Sequence, residues 1–341
     1  MNVVTFGEIM LRLKSPGQER LFQSPVLEAT FGGSEANVAV ALARMGQPAS
    51  FATVLPDNQI GRECIRELRF HGVDVSLIKV KPGRMGIYFI ESGANQRPSN
   101  VIYDRAGSTI AEMDPGDIDW AKAFSGAGWF HLSGITPAVS RKSADASIAS
   151  AKAARASGLT VSFDLNFRAK LWNYGAKARD VMTEIASFAD VLIGNEEDYQ
   201  KSLGMEGPHN AADGHIDTSE YAAMCAAALE KFPAAKYVAV TLRESHSADS
   251  NDWSAMLASR GGAIVSRRYA ISDIVDRVGA GDSFSAGLIY GLIQYGEAKQ
   301  ALEYAVALSC LKHSILGDFA LVEPGEVQKL LGGDASGRVQ R

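Results

Sequence analysis

The sequence predicts an α/β fold: a mostly parallel central sheet with helices on both faces, three layers in all, and a smaller strand-built piece beside it. The first observation is alternation. From residue 120 onward, Trp129 to Ser133, Thr160 to Asp164, Val191 to Gly194 and Tyr237 to Thr241 read as strands, while Ala144 to Ala156, Lys177 to Ala189 and Tyr221 to Lys231 read as helices. Strand and helix taking turns build a parallel sheet covered on both sides. The second observation is a pair of interruptions. Leu11 to Phe31 and Val75 to Tyr103 have poor helical periodicity, several β-formers and turn pairs such as Pro82-Gly83 and Ser92-Gly93, which predicts a separate small sheet.

Along the chain, Met1 to Glu8 reads as a strand ending at Gly7, with no basic leader or cleavage site, so no signal peptide is expected. Phe31-Gly32-Gly33 feeds a small-residue helix that closes at Gly46. Trp253 to Leu257 and Ala263 to Tyr269, parted by Gly261-Gly262, read as a hairpin, and Glu206 to Ser219 and Glu244 to Asp252 as surface loops. The core is expected to comprise 1–10, 32–74 and 106–331, the small sheet 11–31 and 75–105, and 332–341 a frayed tail. No internal repeat or heptad is present.

Composition narrows the function classes. A chain of 341 residues fills one large domain with an appendage, and 34 Lys and Arg against 39 Asp and Glu leave a net charge of −5. With no basic block longer than Arg267-Arg268, nucleic acid is not an expected partner. Cys64, Cys225 and Cys310 are widely separated in apolar helical patterns, which suits reduced thiols in a cytoplasmic protein better than disulfides or zinc. No apolar run reaches the roughly 20 residues that span a bilayer. His131 and His313 read as structural histidines, since no pair of histidines has metal-ligand spacing.

The chemistry centres on Asp276-Arg277-Val278-Gly279-Ala280-Gly281-Asp282, a glycine turn running into an apolar helix. The first N–H groups of a helix lack internal partners and sit at the positive end of its dipole, so such a turn suits an anion. Gly279 and Gly281 let the backbone approach a phosphate. Asp282 stands where it can take a proton from an attacking hydroxyl, or can cap its own helix. Ligands of such sheets bind beyond the C-terminal ends of the strands, where Asp164 to Arg168, Asn195 and Thr241 fall. Other nucleotide chemistries, and hydrolysis by a serine nucleophile, lack their motifs. There is no Gly-x-x-x-x-Gly-Lys-Ser/Thr, no His-Arg-Asp or Asp-Phe-Gly, no Gly-x-Ser-x-Gly, and no Gly-x-Gly-x-x-Gly after the first strand.

Gly32-Gly33-x-x-x-Asn37 near the start and Gly279-Ala280-Gly281-Asp282 near the end resemble the two signatures of the PfkB family of carbohydrate kinases, with the ribokinase-like fold. The resemblance extends over nearly the whole chain. Within the family, Phe31 to Asn37, Tyr103 to Ser108, Asp164 to Arg168 with Leu171-Trp172, and Lys312-His313 with Gly317-Asp318 are most similar to the 2-keto-3-deoxygluconate kinase branch.

The resemblance implies an ATP-dependent kinase acting on the terminal hydroxyl of 2-keto-3-deoxygluconate. Fructokinase, ribokinase and 5-keto-2-deoxygluconate kinase are the alternatives within the fold, and an inactive sugar- or nucleotide-binding regulator is the alternative outside catalysis. It implies that the small sheet is a lid, and an exposed lid sheet suggests a homo-oligomer formed through it. Asp282 would be the general base, and the amides of Ala280, Gly281 and Asp282 the anion hole. Gly33, Asn37, Tyr88, Tyr103, Arg105 and Arg168 would contact the sugar acid, the two arginines gripping its carboxylate.

For the nucleotide, the resemblance points to Asn195 and Thr241, with Ser266, Val275 and Ser314 near adenine or ribose. Asn195 to Asp198 would organise Mg2+ through water, by Glu197 or Asp198, and Asp276 would hold a monovalent cation such as K+ or else cap its loop. The sequence departs from the family at Thr53 to Asp57, which lacks a later glycine. It departs again at Arg243 and Arg277, where the family has Gly and a small residue.

Overall fold

In the computed structural model, which describes residues 1–208 and 216–333, the strands are β1 (Asn2–Phe6), β2 (Met10–Lys14), β3 (Glu28–Gly32), β4 (Ala49–Pro56), β5 (Ile78–Lys81), β6 (Ile87–Glu91) and β7 (Asn100–Asp104). They continue as β8 (Ala127–Ser133), β9 (Thr160–Asp164), β10 (Val191–Gly194), β11 (Tyr237–Ser245), β12 (Asn251–Ser259), β13 (Gly262–Val265) and β14 (Tyr269–Ile271). The central sheet runs β13-β12-β11-β10-β9-β8-β1-β4-β5, with β14 also on β12. From β5 to β11 every pairing is parallel; β12, β13 and β14 close the far edge antiparallel.

Helices cover both faces because successive strand residues point to opposite sides. Val3, Val191, Ile193 and Ala239 enter one apolar cluster with the helices Ser34–Arg44, Ala280–Gln294 and Ala298–Lys312. Val4, Leu192, Val238 and Val240 enter the other, with Arg141–Ala156, Ala178–Ala186 and Thr218–Lys231. This is the ribokinase-like α/β/α sandwich. No helix among the described residues is long and apolar enough to cross a membrane.

The lid is the second sheet, β3-β2-β6-β7, in which two antiparallel pairs meet through a parallel β2-β6 contact. Its inner face carries a small cluster of Met10, Tyr88 and Ile90, and Ile102 on β7 is half exposed. Two expectations need correction. Ile78–Lys81, read into the lid, pairs in parallel with Thr53 to Pro56 and extends the central sheet instead. The loop read at Glu244 to Asp252 is shorter, because β11 and β12 pair as far as Ser245 and Asn251. Most of the expected tail, 334–341, and residues 209–215 of the 206–219 loop lie outside the described residues; Thr218 and Ser219 already belong to a helix.

Candidate active site

The parallel strands end on one edge of the sheet, and the lid stands over that edge. Between them lies a cavity of about 610 Å³. From the lid it is lined by Met10, Tyr88, Val101 and Tyr103; from the core by Asp164, Asn166, Arg168, the 193–198 segment, Thr241 and the 277–282 turn.

Gly279 precedes the helix Ala280–Gln294 with φ 82°, a left-handed conformation that glycine adopts without strain. A Cβ there would also lie 2.0 Å from the Asp318 carbonyl oxygen, so the turn and the 313–318 segment are locked by contact. Asp282 makes no cap to its own helix, which removes the capping alternative. Its carboxylate instead points at the other glycine motif, accepting from Ser34 Oγ and Asn37 Nδ2, both at 2.6 Å. Asn37 Oδ1 in turn accepts the Gly33 N–H, and Asn166, in the left-handed region at φ 33°, donates to Ser34. Burial pushes the Asp282 pKa up to about 6, against the pull of the Ser34 and Asn37 hydrogen bonds, with Asp318 adding a little and Arg168 subtracting.

One amide of the expected anion hole is already used. The Ala280 N–H turns back to the Arg277 carbonyl at 3.2 Å, whereas no backbone carbonyl takes up the N–H groups of Gly281 and Asp282. Those two remain for an anion.

Behind the turn lies a buried ion network that sequence reasoning missed. Arg12 on β2 spans the carboxylates of Asp276 and Asp318, and Tyr88 donates to Asp318 at 2.6 Å. Asp276 also accepts from the N–H groups of Val278 (3.0 Å) and Gly317 (3.1 Å). Its carboxylate is spent on Arg12 and two amides, the Val278 contact being the loop cap expected as the alternative to a cation ligand.

On the sugar side, Gly33, Asn37, Tyr88, Tyr103 and Arg168 line the cavity. Arg168 is exposed and, among the described residues, donates only to the neighbouring Phe167 carbonyl, at 2.9 Å. Arg105 is placed differently from expectation. It follows β7, is buried, and is paired through Nε and Nη2 with Glu8, so it lies behind the cavity wall rather than among its lining residues. Its Nη1 is buried without a hydrogen-bond partner, and its guanidinium lies 5.4 Å from the Tyr103 ring centre.

On the nucleotide side, Asn195 caps the helix Glu196–Leu203 and lines the cavity with Thr241, Arg243, Trp253 and Arg277. Asp198 spends both oxygens on backbone amides, Oδ1 on Phe167 at 2.8 Å and Oδ2 on Asn195 at 2.9 Å. Exposed Glu197 keeps its carboxylate at the cavity. Among the described residues no three His, Cys, Asp or Glu side chains converge as a metal cage. Ser266, Val275 and Ser314, expected near adenine or ribose, do not line the cavity: Ser266 is used between Ala255 and Arg267, Val275 is an exposed loop residue, and Ser314 turns back on Leu311. Arg277, noted in the sequence only as a departure, binds the carbonyls of Ser247 (2.6 Å) and Ala248 (2.8 Å) and faces the cavity with Arg243.

The comparisons with known proteins agree on one family. A family model described as pfkB family carbohydrate kinase matches residues 1–317. The chain is 35% identical to a Haloferax volcanii protein named 2-dehydro-3-deoxygalactonokinase, over 98% of both chains. It is 28% identical to a Thermoproteus tenax 2-dehydro-3-deoxygluconokinase, over 97% of this chain and 94% of that one. Among solved structures, a Thermotoga maritima 2-dehydro-3-deoxygluconokinase superposes with a TM-score of 0.92 at 46% identity, covering 98% of this chain and all of the other. A lidded α/β sandwich, two glycine motifs meeting at one buried carboxylate, and matches end to end have one explanation: the chain belongs to the pfkB family of carbohydrate kinases.

Proposed function

We propose that the chain is a 2-keto-3-deoxygluconate kinase, transferring the γ-phosphate of ATP to the terminal hydroxyl to give 2-keto-3-deoxy-6-phosphogluconate. The observation that carries the reading is Asp282, a buried carboxylate held by Ser34 and Asn37 at the head of a helix with two free amides beside it. Asp282 takes the proton as the sugar oxygen attacks γ-phosphorus, and the bond from phosphorus to the β,γ-bridging oxygen breaks, leaving ADP. Such transfer asks the protein mainly for positioning and charge stabilisation, which the amides of Gly281 and Asp282 supply.

Recognition of an acid sugar falls to Arg168, with Tyr88 and Tyr103 against the carbon chain and Arg105 behind the wall supporting Tyr103. Asn195, Thr241, Arg243 and Arg277 serve ATP. Mg2+ would be held by the nucleotide phosphates and by Glu197 through water, since the oxygens of Asp198 are taken. The enzyme works in the cytoplasm, where its three free cysteines stay reduced, and assembles as a homo-oligomer through the outer face of the lid.

The names of the relatives give a second substrate, 2-keto-3-deoxygalactonate, the C4 epimer. A panel of both epimers, 5-keto-2-deoxygluconate, gluconate, fructose and ribose, with coupled detection of ADP, tests the reading. Highest kcat/KM on a 2-keto-3-deoxy acid supports it. Preference for a neutral sugar, or no sugar-dependent turnover, overturns it.

A further inference from the structure

Lys312 closes the helix Ala298–Lys312 and has no exposed surface. A buried ammonium normally takes a carboxylate as partner. Lys312 instead gives its Nζ to two backbone carbonyls, Ile315 at 3.0 Å and Asp276 at 3.5 Å, and no salt bridge among the described residues includes it. Burial pulls its pKa down, and the carboxylates of Asp276, Asp318 and Asp282 act against that pull. A compact cation inside carbonyl oxygens, near but not on carboxylates, has the surroundings of a bound monovalent metal ion.

The two carbonyls belong to segments that shape the anion hole. Asp276 opens the turn that ends at Gly279, and Ile315 lies on the loop leading to Asp318, whose carbonyl presses on Gly279. The same segments are joined by Val275 N–H to the His313 carbonyl at 2.9 Å. Charges close locally as well: Arg12 and Lys312 stand against Asp276 and Asp318. A further cation would meet a neutral cluster whose Asp276 carboxylate is already spent on Arg12 and two amides.

We propose that Lys312 is a tethered ammonium filling the role of a monovalent cation beside the anion hole, so that this enzyme needs no added K+. Lys312 is a positioning residue: it touches no reacting atom and acts through the backbone of the 276–279 turn. The proposal rests on the kinase reading, and the test separates the two.

Turnover and melting temperature of the full chain are measured in choline buffer and again with KCl or NH4Cl. The wild type should change less than about twofold in kcat, with an unmoved melting temperature. Lys312→Ala opens a cavity lined by the same carbonyls; it should lose at least about tenfold in kcat in choline and recover several-fold with K+, NH4+ or methylammonium, its melting temperature rising in parallel. Lys312→Met fills the space with an apolar chain and should lose activity without rescue. A wild type that turns over sugar only with K+ overturns the proposal, as does a Lys312→Ala protein with unimpaired kcat in choline or with no response to any cation. Should Lys312→Ala not fold, the wild-type cation series decides. A wild type inactive toward every sugar in every salt refutes the kinase reading instead.

Discussion

The two ends of the cavity are built in opposite ways. At the catalytic end, Asp282, Ser34 and Asn37 are buried and bonded to one another, and Arg12, Asp276, Asp318 and Tyr88 form a closed ion network behind them. At the nucleotide end, Arg243 and Glu197 are exposed, and Arg277 donates to the carbonyls of Ser247 and Ala248. The first end is closed on itself; the second leaves its charges open to the cavity. Electrostatic stabilisation of a transition state needs dipoles already in place, whereas a highly charged nucleotide is gripped well by cations left in water.

Substitutions can break this contrast in order of expected size. Asp282→Asn should lower kcat by at least roughly a hundredfold while ATP binding, followed by calorimetry, persists. Its fold should not suffer. Because the folded pKa of Asp282 is raised to about 6, stability is lost as pH climbs from the ordinary carboxylate range through that value, so the amide should melt no lower than wild type at pH 8. The same pKa sets an acid limb: kcat/KM should fall about tenfold per pH unit below about 6, and a limb near 4 would show that Asp282 is not the base.

Arg12→Ala should be the most damaging to stability, by about 3–5 kcal/mol in denaturant titration, since it strands two buried carboxylates. Arg105→Ala and Arg168→Ala sharpen the comparison further. Arg168→Ala should raise KM for the sugar acid about tenfold more than for a neutral analogue, and Arg105→Ala less selectively, since it acts through Tyr103. Only Arg105→Ala should also lower the melting temperature, because Glu8 loses its buried partner. Smallest is Arg243→Gly at the open rim, with KM for ATP up about two- to fivefold and the melting temperature unmoved.

The legible parts of the molecule were those with a local cause. Glycine pairs followed by small residues mark backbone geometries that few other residues can make, and the strands β8 to β10 announced themselves as apolar runs between helices. Ile78–Lys81 misled because its exposed, alternating Ile-Lys-Val-Lys has the look of a lid strand; its neighbour, β4, lies more than twenty residues earlier. The Glu8 to Arg105 pair joins residues 97 apart, and Arg12 reaches Asp318 across 306, so no spacing rule could have joined them. The hint available was a charged residue alternating with Met10, Leu11 and Leu13 on one short strand. Ser266, Val275 and Ser314 fell outside the cavity lining because where those loops end depends on the lengths of β11 to β14, which composition does not fix.

Glu8 joins two of the chain's four crossings between core and lid. It sits on the first crossing, after β1, and from the last, after β7, it accepts from Arg105 with one oxygen and from Ser108 at 2.6 Å with the other. Two of the four ribbons are thus riveted at one point, which braces the lid against shearing over the core. Tyr88 and Tyr103, paired across β6 and β7, line the cavity from that braced lid, so Glu8, which is outside the cavity lining, helps set how far they stand from the core.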